Sequence, residues 1–187
     1  NFPKIKDLCL TYDYNCDVKL DLFTYSTGGI AVYLNVSSTD LEFSLETSLL
    51  LSNYGSSNLN IYVSPVDIPA ITDVDYDGDL DILTFSILGG FIEYHRNLSI
   101  EQNGNCDSLI FNFEDACWGD CYEGLNSYVL NCTNCQCAPL TNQNFKQPHA
   151  GSTILAIDID NDNDKDLILG DILYNNLNLL INGGNNQ

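Results

Sequence analysis

Three observations predict an all-β chain made of blade-like units. A stretch recurs three times, each time passing from acidic to apolar; Gly or Asn turns split each apolar run in two; and no sustained helical periodicity appears. The copies are DYNCDVKLDLFTYSTGGIAVYLN (13–35), DVDYDGDLDILTFSILGGFIEYHRN (73–97) and DIDNDNDKDLILGDILYNNLNLLIN (158–182), all closing on Asn. In each, an acid-rich loop feeds a strand: Leu22–Tyr25, Ile82–Phe85 or Leu167–Leu169. Turns centred on Gly28-Gly29, Gly89-Gly90 or Asn175-Asn176, residue types that tolerate positive φ, lead into a second apolar run, so each copy reads as a hairpin. Copy starts lie 60 and 85 residues apart, room for about four short strands per unit, a spacing that suits propeller blades. The stretch TDLEFSLETSLLLSNYG (39–55) has the length of a short helix, but alternating Leu41, Phe43 and Leu45 favour a strand. The predicted organisation is repeat one over 1–60, repeat two over 61–105, a cysteine-rich insertion over 106–147 and repeat three over 148–187.

A hydrophobic content of 44% is enough to bury a core, and 6 basic against 26 acidic residues give a formal charge of −20. That charge repels phosphate backbones and anionic lipid and attracts cations, which excludes nucleic acid as a partner class. No apolar run approaches the roughly 18 residues of a membrane span, and the opening NFPKIKDLCL shows no basic segment leading into an apolar one. The expectation is a soluble chain, mature or excerpted. Eight cysteines without a single Met point to an oxidising, extracellular setting.

The acidic loops carry the chemistry. Carboxylates packed at alternate positions repel one another unless a cation sits among them. Calcium takes six to eight oxygens at about 2.3 to 2.6 Å, and a tight loop turns alternate side chains toward one centre. In copy two the assigned ligands are Asp73, Asp75 and Asp77, the backbone carbonyl of Asp79, and Asp81 as the closing carboxylate, with Gly78 making the sharp turn. Copy three repeats the set with Asp158, Asp160, Asp162, the carbonyl of Asp164, and Asp166, and Asn163 in place of Gly. Copy one offers Asp13, Asn15, Asp17, the carbonyl of Lys19, and Asp21, one charge fewer. Val18 stands there where the others have Gly or Asn, and a β-branched residue resists positive φ. The prediction is two strong calcium sites and one that is weak or empty. The closing acid falls eight residues after the first, too soon for a helix-loop-helix calcium hand.

With the loops placed, the units resemble FG-GAP or VCBS-type β-propeller repeats, whose signature D-x-D-x-D-G-x-x-D followed by an apolar strand stands in full at 73–83. The stretches NIYVSPVDIPAITDVDYDGDLDILTFSILGGFIEYHRN, GNCDSLIFNFEDACWG and HAGSTILAIDIDNDNDKDLILGDILYNNLNLLINGG are similar to large secreted surface proteins of Gram-negative bacteria that use type IX secretion. The resemblance implies calcium in the loops, a secreted scaffold of blades and no assigned catalysis. A closed propeller takes at least about four blades. Three units therefore imply an incomplete propeller, or one whose open edges neighbouring subunits complete, with strand addition leading to an oligomer or fibre.

Cys106, Cys117, Cys121, Cys132, Cys135 and Cys137 fall between copies two and three. Spacing alone allows a zinc set of Cys117, Cys121, Cys132 and Cys135; disulfide staples are the preferred reading in a secreted chain. Cys9 and Cys16 bracket the strand leading into the first loop and pair with each other or elsewhere. His149 and Ser152 with a nearby acid could be imagined as a hydrolase triad, but no G-x-S-x-G elbow is present and a turn into the next strand is preferred. Trp118 and the tyrosines serve either a sugar platform or the sheet cores. Asn35, Asn97 and Asn131 begin N-glycosylation acceptor patterns, and Asp107–Leu109 is similar to an O-glycosylation motif implied by the bacterial resemblance. The functional expectation is an extracellular, calcium-stabilised structural or adhesive surface protein, not an enzyme, with a protein or glycan partner at the cell surface. The alternatives are a carbohydrate-binding module or the accessory repeats of a secreted hydrolase.

Overall fold

In every copy, the strand entering the acidic loop and the strand leaving it pair antiparallel across that loop. β1 (Cys9–Tyr12) pairs β2 (Asp21–Ser26), β7 (Ala70–Thr72) pairs β8 (Asp81–Phe85), and β13 (Ser152–Ile157) pairs β14 (Asp166–Asp171). The last pair before the loop is Tyr12 with Asp21, Thr72 with Asp81 and Ile157 with Asp166. The closing aspartate of each loop is therefore also the first residue of a central strand. The computed structural model describes residues 2–124, 127–137, 152–172 and 175–183. His149 and residues 138–147 of the insertion lie outside them.

The described residues form fifteen strands in four sheets, none closed into a barrel. Sheet one is the meander β1-β2-β3-β4, with β3 at Gly29–Asn35 and β4 at Phe43–Thr47. Sheet two runs β6-β5-β10-β9-β8-β7, with β5 at Leu51–Asn53, β6 at Asn58–Asn60, β9 at Ile92–Asn97 and β10 at Phe111–Asp115. Its β5 and β10 are parallel. Sheet three is β13-β14-β15, with β15 at Leu177–Leu180, and β11 (Cys121–Gly124) with β12 (Ser127–Leu130) forms a separate hairpin. One short helix, α1 (Ser99–Asn103), follows β9. Among the described residues no helix is long and apolar enough to cross a membrane.

The first hairpin turns at Thr27 and Gly28, both at positive φ (48° and 78°), one residue earlier than predicted. A two-residue turn with positive φ at both positions matches the strand twist best. The second hairpin needs the longer link 86–91, in which Gly89 and Gly90 have φ of 76° and 85°.

Strand alternation places the cores between sheets. Phe23, Ile30 and Val32 of sheet one pack with Ile71, Ile82 and Phe111 of sheet two. Ala70, Leu83, Phe85, Ile92 and Tyr94, on sheet two's other face, pack with Ile154, Ala156, Leu167 and Leu169 of sheet three. The middle sheet is thus apolar on both faces, as a blade between two neighbours must be. Beyond sheet three, Leu155 pairs with Ile168 and Ile168 with Leu179 on its outer face, and Leu155, Leu177, Leu179 and Ile181 are half exposed or more.

Disulfides join Cys16 to Cys106, Cys117 to Cys135, and Cys132 to Cys137. The local Cys9–Cys16 pair does not form: Cys9 is free and exposed, while Cys16 reaches the segment beyond α1. Pairing also consumes three of the four thiols of the zinc set. Cys121 stays free and buried, its thiol pushed up to about 12 by burial.

Candidate cation-binding loops

Three backbone positions recur in each loop, and side-chain carboxylates hold them. The first aspartate accepts the N–H groups of the fifth and sixth positions: Asp13 from Asp17 (3.0 Å) and Val18 (2.8 Å), and Asp73 from Asp77 and Gly78 (both 3.1 Å). Asp158 likewise accepts from Asp162 and Asn163 (both 3.2 Å). The fifth-position carboxylate accepts from the seventh N–H: Asp17 from Lys19, Asp77 from Asp79, Asp162 from Asp164. These bonds curl the chain tightly enough to require positive φ at the fourth position (Cys16 59°, Tyr76 63°, Asn161 64°) and the sixth (Val18 70°, Gly78 103°, Asn163 69°). Val18 takes the same turn as Gly78 despite its branched side chain, because Asp13 holds its N–H; the residue is 91% exposed and packs on nothing.

The closing aspartate does more than the sequence reading assigned to it. Asp21, Asp81 and Asp166 are fully buried, and each carboxylate receives two backbone N–H groups, one from the second loop position and one from the Asn that ends the copy. The pairs are Tyr14 and Asn35 on Asp21, Val74 and Asn97 on Asp81, and Ile159 and Asn182 on Asp166. Asp81 also receives the Tyr94 hydroxyl at 3.2 Å. A single carboxylate therefore ties the loop entry to the end of the hairpin. The Asn that closes each copy supplies only its backbone N–H to this clasp.

Carboxylates at positions one, three and nine gather within 4.8 Å of one another in copy two (Asp73, Asp75, Asp81) and copy three (Asp158, Asp160, Asp166). Oxygens at that spacing can share one ion with ligand distances of about 2.3 to 2.6 Å. Among the described residues copy one shows no such gathering. There Lys19 ion-pairs with Asp17 at 3.3 Å, and the Lys19 backbone N–H is the main cause that holds the Asp17 carboxyl below its usual range. The fifth-position acids Asp77 and Asp162 stand apart from these trios, as do the side chains of Asp79 and Asp164. Asp79 is buried and accepts the Ile100 N–H at 3.0 Å, fastening α1 to the loop. The Asp164 carbonyl, assigned as a ligand, accepts the Tyr76 hydroxyl at 3.4 Å.

Burial raises the acids of copy two. Asp81 is pushed up to about 8, against the pull of its two backbone donors, and Asp79 up to about 6. Asp75 also rises through burial and then through the Asp77 charge. Three carboxylates held this way favour either protons or a cation.

A cleft of about 680 Å³ opens between loops two and three, lined in part by Asp75, Asp77, Arg96, Trp118, Asp164 and Lys165. Tyr76 bridges it, its hydroxyl also 3.4 Å from Asp158 and its ring 3.9 Å below the Lys165 ammonium. Trp118 is 4% exposed and sits in the core, so it offers no sugar platform. Ser152 is buried, its N–H donating to Asp67 at 3.0 Å. Of the three glycosylation patterns, Asn97 is buried with its amide bonded to Ser108 and Ile110, whereas Asn131 is exposed. Arg96, Glu101, Tyr76 and Tyr94 are the site residues that spacing alone missed.

No family model matches the chain, and neither a curated protein nor a solved structure matches it.

Proposed function

We propose that the chain is a calcium-stiffened structural or adhesive module of an extracellular surface, built from FG-GAP/VCBS-type repeats that stack as blades of a propeller. The observation that carries this reading is the repeated carboxylate trio, set on a buried closing aspartate that is itself the first residue of a central strand. An ion in the trio neutralises the loop and fixes both the strand that leaves it and the end of the hairpin. Stiffness is thereby coupled to external calcium, which suits a module exposed outside the cell. Three disulfides are compatible with that setting.

Assembly with further copies belongs to the same reading. Phe23, Leu83 and Ile168 hold equivalent places in the three copies; the first two are covered by the next sheet, and Ile168 lies on the face lined by Leu155 and Leu179. A contiguous aliphatic face of this kind marks an interaction surface. The protein or glycan it would recognise at the cell surface is part of the proposal.

Thermal unfolding with calcium and then with chelator tests the central claim. Two sites at a hundred times their dissociation constant add about 5 kcal/mol, which moves the midpoint by on the order of ten degrees or more. Superimposable melting curves, with no ion retained after dialysis, would remove the calcium mechanism.

A further inference from the structure

Loop two differs from loop three in having a cation paired to its acids, whereas the Lys165 ammonium of loop three lies over the Tyr76 ring instead. The Arg96 guanidinium, reaching back from β9, pairs with Asp75 at 2.6 Å, with Asp77 at 3.8 Å and with Glu101 in the first turn of α1. Those three acids also form a compact carboxylate trio of their own, separate from Asp73, Asp75 and Asp81. Asp75 belongs to both. In loop three, no basic side chain among the described residues pairs with Asp158, Asp160 or Asp166, and the position matching Arg96 is Ile181.

We propose that Arg96 is a built-in competitor for the metal at loop two, seated in the Asp75–Asp77–Glu101 trio, so that loop three takes calcium first and loop two fills only at higher calcium. This rests on the calcium reading of the loops. The physical basis is simple: a guanidinium draws the Asp75 oxygens toward itself, and its charge opposes a divalent ion a few ångström away. A bound ion at loop two has to share or release Asp75, whereas at loop three it displaces no cation. The device grades the response, giving a module that is half loaded over one calcium range and fully loaded over another.

Calorimetric titration of the full chain with calcium, at fixed ionic strength, separates the possibilities. Wild type should show a tighter and a weaker site, with Asp160→Asn removing the tighter and Asp75→Asn the weaker. Arg96→Gln should tighten the weaker site about tenfold, the scale of one nearby unit charge at a partly solvated site, and leave the tighter unchanged. Arg96→Met, which keeps the stem and its packing, should match Arg96→Gln, while Arg96→Lys should stay near wild type. A loop-two affinity that is unchanged or weakened in both Arg96→Gln and Arg96→Met overturns the competitor, as does a wild type in which loop two is the tighter site. Absence of calcium binding in wild type and both neutral variants overturns the calcium reading itself, a distinct result.

Discussion

Loop one and loop two follow the same backbone path and are fastened by different chemistry. Both place residues with positive φ at the fourth and sixth positions, and both lay two amides on the first aspartate and two on the buried closing one. Loop one then adds a covalent bond from its fourth position, Cys16 to Cys106. Loop two uses its fourth position, Tyr76, to touch loop three and adds Arg96 from its own hairpin. The turn is therefore a property of carboxylates receiving backbone amides. The disulfide and the guanidinium are secondary fastenings laid over a turn that loop three makes without either.

The largest test of that view is the clasp. Asp81→Ala leaves the Val74 and Asn97 amides and the Tyr94 hydroxyl without their shared acceptor, at a cost of about 3 to 5 kcal/mol in urea unfolding. Asp21→Ala and Asp166→Ala, each with two amide donors and no tyrosine, should cost less. Equal losses at all three would break the ranking. Next comes the staple: Cys106→Ser opens a link spanning 90 residues, a loss of on the order of 4 kcal/mol in the chain-entropy model, with the calcium content unchanged. A variant that also lost bound ion would show the two fastenings to be coupled.

A smaller effect separates the loops by pH. Asp81 and Asp79 have folded pKa values raised to about 8 and about 6, so the folded chain holds protons that the unfolded chain has released. Without metal, stability should fall as pH rises from about 4 toward 8. Asp81→Asn, which cannot ionise, should flatten that slope, as measured by chelated unfolding curves at each pH. In loop one the two directions oppose each other: Asp17 is shifted downward and contributes stability that is lost as pH falls below the usual carboxylate range, whereas burial raises Asp21 as it raises Asp81. The smallest change is Val18→Gly. It relieves a left-handed turn at an exposed site and should gain at most about 1 kcal/mol after the entropy lost by glycine.

Local features of this fold were legible in the sequence because they are written in short spacings. The alternating acids placed the loops, Gly placed the first two turns to within a residue, and apolar runs placed β2, β8 and β14 within a residue or two at the loop end. Long-range features left no such trace. Cysteine spacing does not encode the Cys16–Cys106 bond across 90 residues, and the parallel pairing of β5 with β10 depends on chain crossing between units. Arg96 stands in no spacing pattern with the loop acids; its role appears only when β9 returns beside the loop and α1 brings up Glu101. Asp81 was read as a ligand from its interval, and its two amide partners become visible only through strand register.

The matched registers of the three copies have a consequence for how such a chain can lengthen. Because every sheet offers its successor the same side, and each loop fastens only to its own hairpin and immediate neighbours, a duplicated unit could be appended after β15 without redesigning anything upstream. The side of sheet three that carries Ile168 is the one such a copy would meet.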